Sequence, residues 1–238
     1  MESIIFIKDF WFDGPDRNLY TSGKYFLKAS DFFIHGSELG ASSAINSLMM
    51  MLMIHGRTSM LDLNIRGREG SESEDGYTAK KCFKEMCLRD MDGCYLNNQG
   101  YGFKKLSEDL HECFMGRAEA DYMMLRRPKS NSKRKIDFKL RIIKRINEGY
   151  PVEIGFTFDK RPCGHAVVAI GYTSHKHYLR LLCLDPANER PKVSFWNTVI
   201  DIDNRDDYDG LAGDYYCTEA GFKHISVNEI LTIKQAAL

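Results

Sequence analysis

The sequence lacks a net charge, a long hydrophobic run and any internal repeat. Its 238 residues include 33 basic and 33 acidic side chains, so no long-range electrostatic attraction draws the chain to nucleic acids or anionic membranes. The longest apolar stretch, residues 44–54, contains Asn46 and Ser47 and is far shorter than the roughly 20 residues that a membrane span requires. We therefore expect no nucleic-acid partner and no membrane span.

Features of secreted and disulfide-rich proteins are missing as well. Glu2 stands where a signal peptide carries positive charge, and Lys8 follows before a hydrophobic segment could form. The seven cysteines are odd in number and irregularly spaced, in a chain long enough to build a core without disulfides. We expect a cytoplasmic protein with reduced cysteines. Delivery into another cell without a classical signal peptide is compatible with the same composition.

The cysteines also lack the paired spacing of zinc fingers and ribbons. Cys82, Cys87 and Cys94, with His111 and Cys113 further on, carry ligand atoms that zinc accepts, but their spacing is irregular. We therefore predict no metal and no cofactor. A zinc-stabilised interaction domain is left as an alternative that metal analysis would decide.

The composition is that of a globular protein, with 43% hydrophobic residues. It predicts a single domain over residues 1–238. Its first part, about 1–135, is helical and variable, and its second part, about 136–238, is rich in β-strands.

Residues 41–55 predict a helix that is buried on almost every side. Ser42 or Ser43 can cap its beginning, and Gly56 favours its end. Methionines make its remaining faces apolar. The apolar residues with helical spacing are Ile45, Leu48, Met49 and Leu52. We expect a central helix whose first turn lies near the surface.

The stretch from residue 57 to 135 is more polar. Helical spacing occurs at 77–88 and 103–115, and residues 126–135 are interpreted as a basic surface loop. Residues 136–148 then predict a further helix, closed by a glycine and a proline. The side chains expected to face inward are Leu140, Ile143 and Ile146.

Four runs of strand-forming residues follow, separated by polar turns. They are residues 151–158, 164–173, 178–186 and 192–202. Strands joined by short turns predict an antiparallel meander, and the helices before them make the fold class α+β.

Two polar residues stand at the ends of neighbouring predicted strands. His165 opens the second run, and Asp185 closes the third just before Pro186. Adjacent antiparallel strands can bring the two side chains together. A carboxylate bonded to one imidazole nitrogen fixes the tautomer and raises the basicity of the other, which is what a general base needs.

A base with an orienting carboxylate requires a nucleophile. The first turn of the buried helix suits one, because the helix dipole and free N–H groups lower the pKa of a thiol and bind an oxyanion. That turn, GASSAINSL, contains no cysteine.

The order of these segments resembles the papain-like cysteine peptidases, and most closely their bacteriocin-processing, double-glycine branch. The segments are EGYPVEIGF, CGHAVVAIGY, LLCLDPAN and VSFWNTVID, after the buried helix. The resemblance implies a papain-like α+β fold, with a buried N-terminal central helix packed against an antiparallel sheet or meander. It also implies a Cys–His–Asp triad acting on a peptide or protein substrate.

The family's roles carry over to individual positions. His165 resembles the general base and Asp185 the orienting residue. Ala41 occupies the position of the nucleophilic cysteine, because ASSAINSL stands where the family has Cys-Gly-Pro-Ala-x-Leu. The upstream oxyanion glutamine of the family is also missing. His35, six residues before Ala41, stands at the glutamine's position, and Glu38 is the other candidate; Ser42 is assigned to the oxyanion hole as well.

The missing cysteine has three interpretations. A deliberate cysteine-to-alanine substitution at Ala41 would give an inactive variant of a cysteine protease, which could be a bacterial effector or toxin. A natural pseudopeptidase would keep the fold as a binding module. Ser42 or Ser43 as nucleophile is disfavoured, because serine lacks the accessible anion of a thiol.

The same triad would also support a glutamine deamidase or transglutaminase, because each reaction passes through a thioester.

Overall fold

The structure, a computed structural model, describes residues 4–7, 33, 43–56, 102–113, 118–125, 132–158, 164–191, 196–206, 210–217 and 221–236. Within these residues the helices are α1 (Ser43–Gly56), α2 (Phe103–Cys113) and α3 (Ser132–Asn147). The strands are β1 (Ile5–Phe6), β2 (Ala118–Met124), β3 (Val152–Phe158), β4 (Gly164–Ser174), β5 (Tyr178–Leu184), β6 (Thr198–Asp206), β7 (Leu211–Cys217) and β8 (Gly221–Ala236).

The strands from β3 to β8 pair in sequence order, every pair antiparallel, and β8 returns to pair with β3. The sheet therefore closes into a barrel. β1 pairs with β4 beyond the end of β3, and β2 pairs with the last part of β8. The α+β class and the antiparallel meander are confirmed. The closed barrel fits the expected papain-like fold only loosely.

Closure depends on β8, which is 16 residues long. Its first part pairs with β7, its middle with β3 and its last part with β2. Neither β7 nor β8 is among the four strand runs that the sequence predicted. β2 was missed as well, since its sequence AEADYMM has little β-branched character and lies in a polar stretch.

Helix α1 forms much of the core, and its prediction as a helix buried on almost every side is confirmed. It packs against β4, β3 and β8. Leu48 and the residues from Met50 to Met53 are fully buried. Ser47, a polar side chain that is also fully buried, donates its hydroxyl to the carbonyl of Ala166 at 3.2 Å. That bond ties the helix to the start of β4.

The prediction for α3 was wrong in two respects. The helix begins at Ser132 rather than at 136, so the end of the basic run is helical, as lysine and arginine are good helix formers. The buried stripe is Phe138, Ile142 and Ile146. Leu140, expected inside, is 54% exposed because it lies two positions from Phe138 and from Ile142, on the opposite side of the helix.

The remaining predicted elements have mixed outcomes. Helix α2 confirms the helical spacing at 103–115, ending at Cys113. Residues 77–88 lie outside the described residues. The fourth strand run, predicted at 192–202, is a strand from Thr198 onward, and residues 196 and 197 precede it.

Gly171 permits β1 to dock on β4. A Cβ there would lie 2.6 Å from a ring carbon of Phe6 and 2.8 Å from the carbonyl oxygen of Ile5. Because Phe6 also stacks on Trp196 at 5.8 Å, the short strand cannot shift without losing that contact. We expect Gly171→Ala to lower the free energy of unfolding by about 2 kcal/mol, measured by urea denaturation.

The matched control is Gly102→Ala. A Cβ at Gly102 meets no atom within 4 Å. The control should change stability by no more than about 0.5 kcal/mol. Equal stability of the two variants would contradict the docking of β1 on β4.

Candidate active site

The strand register brings His165 and Asp185 to the same end of the barrel. His165 is the second residue of β4, and Asp185 directly follows β5, which pairs antiparallel with β4. The His165 Nε2 and Asp185 Oδ1 atoms lie 2.9 Å apart. The carboxylate side chain is fully buried, whereas the imidazole is 13% exposed. The two residues are therefore in hydrogen-bond contact, with the histidine nearer to solvent.

Several donors hold the Asp185 carboxylate. Oδ1 also accepts the backbone N–H of Ala187 at 2.8 Å, and Oδ2 accepts the hydroxyl of Tyr215. Burial alone would raise the pKa of Asp185, but the His165 bond and charge, the Tyr215 hydroxyl and the Ala187 N–H together lower it below its ordinary value. The buried carboxylate is thus stabilised in its ionised form.

Asn197 fixes the backbone around Asp185. Its Oδ1 accepts the backbone N–H of Asp185 at 2.7 Å. Its Nδ2 donates to the carbonyls of Asp185 and Glu189, each at 2.9 Å. The backbone N–H of Asn197 in turn bonds to the carbonyl of Cys183 at 3.1 Å. The turn after β5 is therefore held on both sides of the carboxylate.

Neither Asn197 nor Tyr215 was found by sequence reasoning. Asn197 lies in the segment VSFWNTVID, which was used only as part of the family resemblance. Tyr215 lies on β7, 30 residues beyond Asp185 in the chain. No motif or spacing links it to the pair, because the contact depends on the pairing of β6 and β7 within the barrel.

Three aromatic rings surround the imidazole of His165. Phe156, its register partner on β3, meets it edge-on at 5.5 Å, and Phe158 stacks on it at 6.2 Å. Tyr215 meets it edge-on at 6.1 Å. These contacts restrict rotation of the ring. With Nε2 bonded to Asp185, Nδ1 is the nitrogen left to exchange a proton, and no described residue bonds to it.

The first turn of α1 lies against the backbone at the start of β4. The backbone N–H of Ala166, the residue after His165, donates to Ser43 Oγ at 3.3 Å. A helix N-terminus presents unpaired N–H groups and the positive end of the dipole. Ala41, His35, Glu38 and Ser42 lie outside the described residues, so their proposed positions in the site stay predictions.

Cys183, on β5 two residues before Asp185, is unsuited to act as a nucleophile. Its side chain is fully buried. Burial first, and then the negative charge of Asp185, raise the pKa of the Cys183 thiol well above its ordinary value. A thiol held in its neutral form attacks carbonyl groups slowly. Cys163, two residues before His165, lies outside the described residues.

The described part of the chain shows neither a metal-binding cluster nor a membrane-spanning helix. No group of three or more His, Cys, Asp and Glu side chains gathers there in a way that could hold a metal ion. None of its helices combines the length and the apolar character required to cross a membrane.

Comparison with known proteins identifies the family. The model of the Peptidase_C39-like family matches residues 44–213, well over half of the chain. The matched segment contains His165 and Asp185, and it begins three residues after Ala41. No curated protein matches the chain significantly. Because the family model covers more than half of the chain, the chain belongs to the Peptidase_C39-like family, a cysteine-peptidase-like group of hydrolases.

Proposed function

We propose that the chain carries the active site of a papain-like cysteine protease that cleaves a peptide or protein substrate. In this proposal Ala41 occupies the position of the nucleophilic cysteine, His165 is the general base, and Asp185 orients the imidazole. The N–H groups at the start of α1, including that of Ser42, form the oxyanion hole together with His35 or Glu38.

The observation that carries the proposal is the 2.9 Å contact between His165 Nε2 and Asp185 Oδ1. An ionised carboxylate accepts a hydrogen bond from the Nε2–H group and so favours the tautomer in which Nδ1 is the base. The bond from Ala166 to Ser43 brings the first turn of α1 to the backbone next to His165, which supports the proposal. A thiol placed two residues before Ser43 would lie close to Nδ1.

The chemistry follows from these positions. Nδ1 of His165 takes the proton of the thiol, and the thiolate attacks the carbonyl carbon of the scissile amide. N–H groups stabilise the oxyanion of the tetrahedral intermediate. The intermediate collapses to a thioester as the amine leaves with the proton from His165. Water, deprotonated by His165, then hydrolyses the thioester and releases the acid and the free thiol.

The chain as it stands has a methyl group at position 41 and no thiol. We therefore expect it to bind substrate without cleaving it. Restoring the nucleophile is the route to testing the activity, and the unchanged chain is the matched control.

The test incubates the Ala41→Cys protein with a peptide library derived from a whole proteome. Mass spectrometry then records new peptide termini, deamidated glutamines and cross-links. New termini that are absent with the unchanged chain, and absent with Ala41→Cys carrying His165→Ala, support a protease. Deamidation or cross-links instead of cleavage would replace it with a deamidase or transglutaminase. No product from a folded Ala41→Cys protein would contradict both and favour a binding module.

A further inference from the structure

We propose that Tyr215 is a positioning residue of this site: its hydroxyl fixes the Asp185 carboxylate so that Oδ1 faces His165 Nε2. The catalytic consequence of this inference rests on the proposed function. The hydrogen bond between Tyr215 and Asp185 is present in the chain with alanine at position 41 and does not depend on that function.

The contact uses the carboxylate oxygen that His165 does not. Oδ1 is shared between His165 Nε2 at 2.9 Å and the Ala187 N–H at 2.8 Å, whereas Oδ2 accepts the hydroxyl of Tyr215. The other described donor to Oδ2, Asn188 Nδ2, lies 3.4 Å away, which is long for a hydrogen bond. Tyr215 is therefore the principal described restraint on Oδ2, and it acts together with the Ala187 N–H on Oδ1 to fix the rotation of the carboxylate.

The same side chain also restrains the histidine. The Tyr215 ring lies edge-on to the His165 ring at 6.1 Å and packs on Phe156 at 5.3 Å. Phe156 in turn meets His165 at 5.5 Å. Tyr215 thus touches both members of the pair. Because it is only 4% exposed, water does not readily replace its hydroxyl.

The hydroxyl has an electrostatic effect that the ring alone would not provide. Donation to Oδ2 is one of the interactions that lower the pKa of the buried Asp185 carboxyl. Phenylalanine at the same position would keep the ring packing and lose the donor. Tyr215→Phe therefore separates positioning of the carboxylate from filling of the core.

The matched control is Tyr216→Phe. Tyr216 is the next residue on β7, its ring is 38% exposed, and it points to the opposite face of the strand. Removing its hydroxyl changes the same chemical group without reaching Asp185.

The first measurement uses the chain with Ala41 unchanged, so that it does not depend on activity. Nitrogen-15 NMR of labelled histidine reports the tautomer of His165, and carbon-13 NMR of labelled aspartate reports the pKa of Asp185. We expect Tyr215→Phe to raise the pKa of Asp185 and to reduce the population with the proton on Nε2. Tyr216→Phe should leave both unchanged. Unchanged signals in Tyr215→Phe would overturn the positioning role.

The second measurement follows alkylation of the thiol in the Ala41→Cys protein. The loss of one hydrogen bond to a charged group should slow labelling at position 41 about tenfold in Tyr215→Phe and leave the Tyr216→Phe rate unchanged. The NMR signals of Tyr215→Phe could change while the thiol of the Ala41→Cys protein reacts no faster than a free thiol. That result would support the positioning role of Tyr215 and count against the proposed function.

If Tyr215→Phe does not fold, the same role is tested by replacing Tyr215 with 3-fluorotyrosine. The fluorinated hydroxyl is a stronger donor and adds little volume. It should lower the pKa of Asp185 further, and an unchanged pKa would overturn the positioning role.

Discussion

Replacing Asp185 with alanine in the Ala41→Cys protein is expected to reduce turnover of its amide substrate by about 10³–10⁴-fold. The substitution removes the acceptor of the His165 Nε2 bond and leaves the Tyr215 hydroxyl and the Ala187 N–H without their shared partner. The imidazole then samples the tautomer with its proton on Nδ1, which cannot accept a proton from the thiol. The measurement is kcat/KM on a peptide identified by the library experiment.

Asp185→Asn is the informative control for this prediction. The Ala187 N–H requires an acceptor at the Oδ1 position, so it orients the asparagine amide with its oxygen toward His165. The amide nitrogen then meets the Tyr215 hydroxyl, which can accept as well as donate. We expect Asp185→Asn to keep turnover within about tenfold of the parent. Equal loss in the two variants would contradict the positioning argument and assign the effect to the negative charge alone.

Glu153→Gln is expected to stabilise the protein at neutral and higher pH. Glu153 lies on β3 and is fully buried, and no residue in the described part of the chain forms a hydrogen bond with either of its carboxyl oxygens. Burial first, and then the charge of neighbouring Glu229, raise the pKa of Glu153 well above its ordinary value of 4.5. Burial also raises the pKa of Glu229, although the Phe103 N–H, 3.3 Å from its Oε2, opposes that rise.

The raised pKa determines the pH dependence. The folded state holds the Glu153 proton more tightly than the unfolded state, so its contribution to stability is fully present below the ordinary value of 4.5 and is lost as pH rises. Glutamine has no such proton. Glu153→Gln should raise the free energy of unfolding on the order of 3 kcal/mol at about pH 8, and much less at about pH 5.

Urea denaturation at several pH values measures this effect. The matched control is Glu108→Gln, because Glu108 is 62% exposed on α2 in an ion pair with Lys104. The control should change stability by no more than about 0.5 kcal/mol at either pH. A pH dependence unaffected by Glu153→Gln would contradict the raised pKa of the buried carboxyl.

Local features of the site were accessible from the sequence, and its long-range contacts were not. His165 and Asp185 could be paired in advance, because each stands at the end of a strand run and a short turn joins the two strands. Tyr215 could not, because its place beside Asp185 follows from the closure of the barrel through β7 and β8. Asn197 acts through its side-chain amide on backbone groups, and nothing in its spacing indicates that.

The helices show the same division between local and long-range information. Helix α1 was predicted well because its apolar residues lie on every face of the helix, so no choice of face was needed. Helix α3 offers two apolar stripes, and the periodicity alone did not show which stripe faces the core. The core selects Phe138, Ile142 and Ile146 and leaves Leu140 exposed.

The central claim is that position 41 faces the free nitrogen of an oriented His165. The most direct test is the alkylation rate of the Ala41→Cys protein at about pH 6, where an ordinary thiol with a pKa of about 8.5 is almost entirely protonated. Peptide mapping isolates position 41 from the other cysteines, including the buried Cys183. We predict labelling about 100-fold faster than a free thiol, lost when His165→Ala is added. Labelling at the rate of a free thiol, indifferent to His165, would contradict the account.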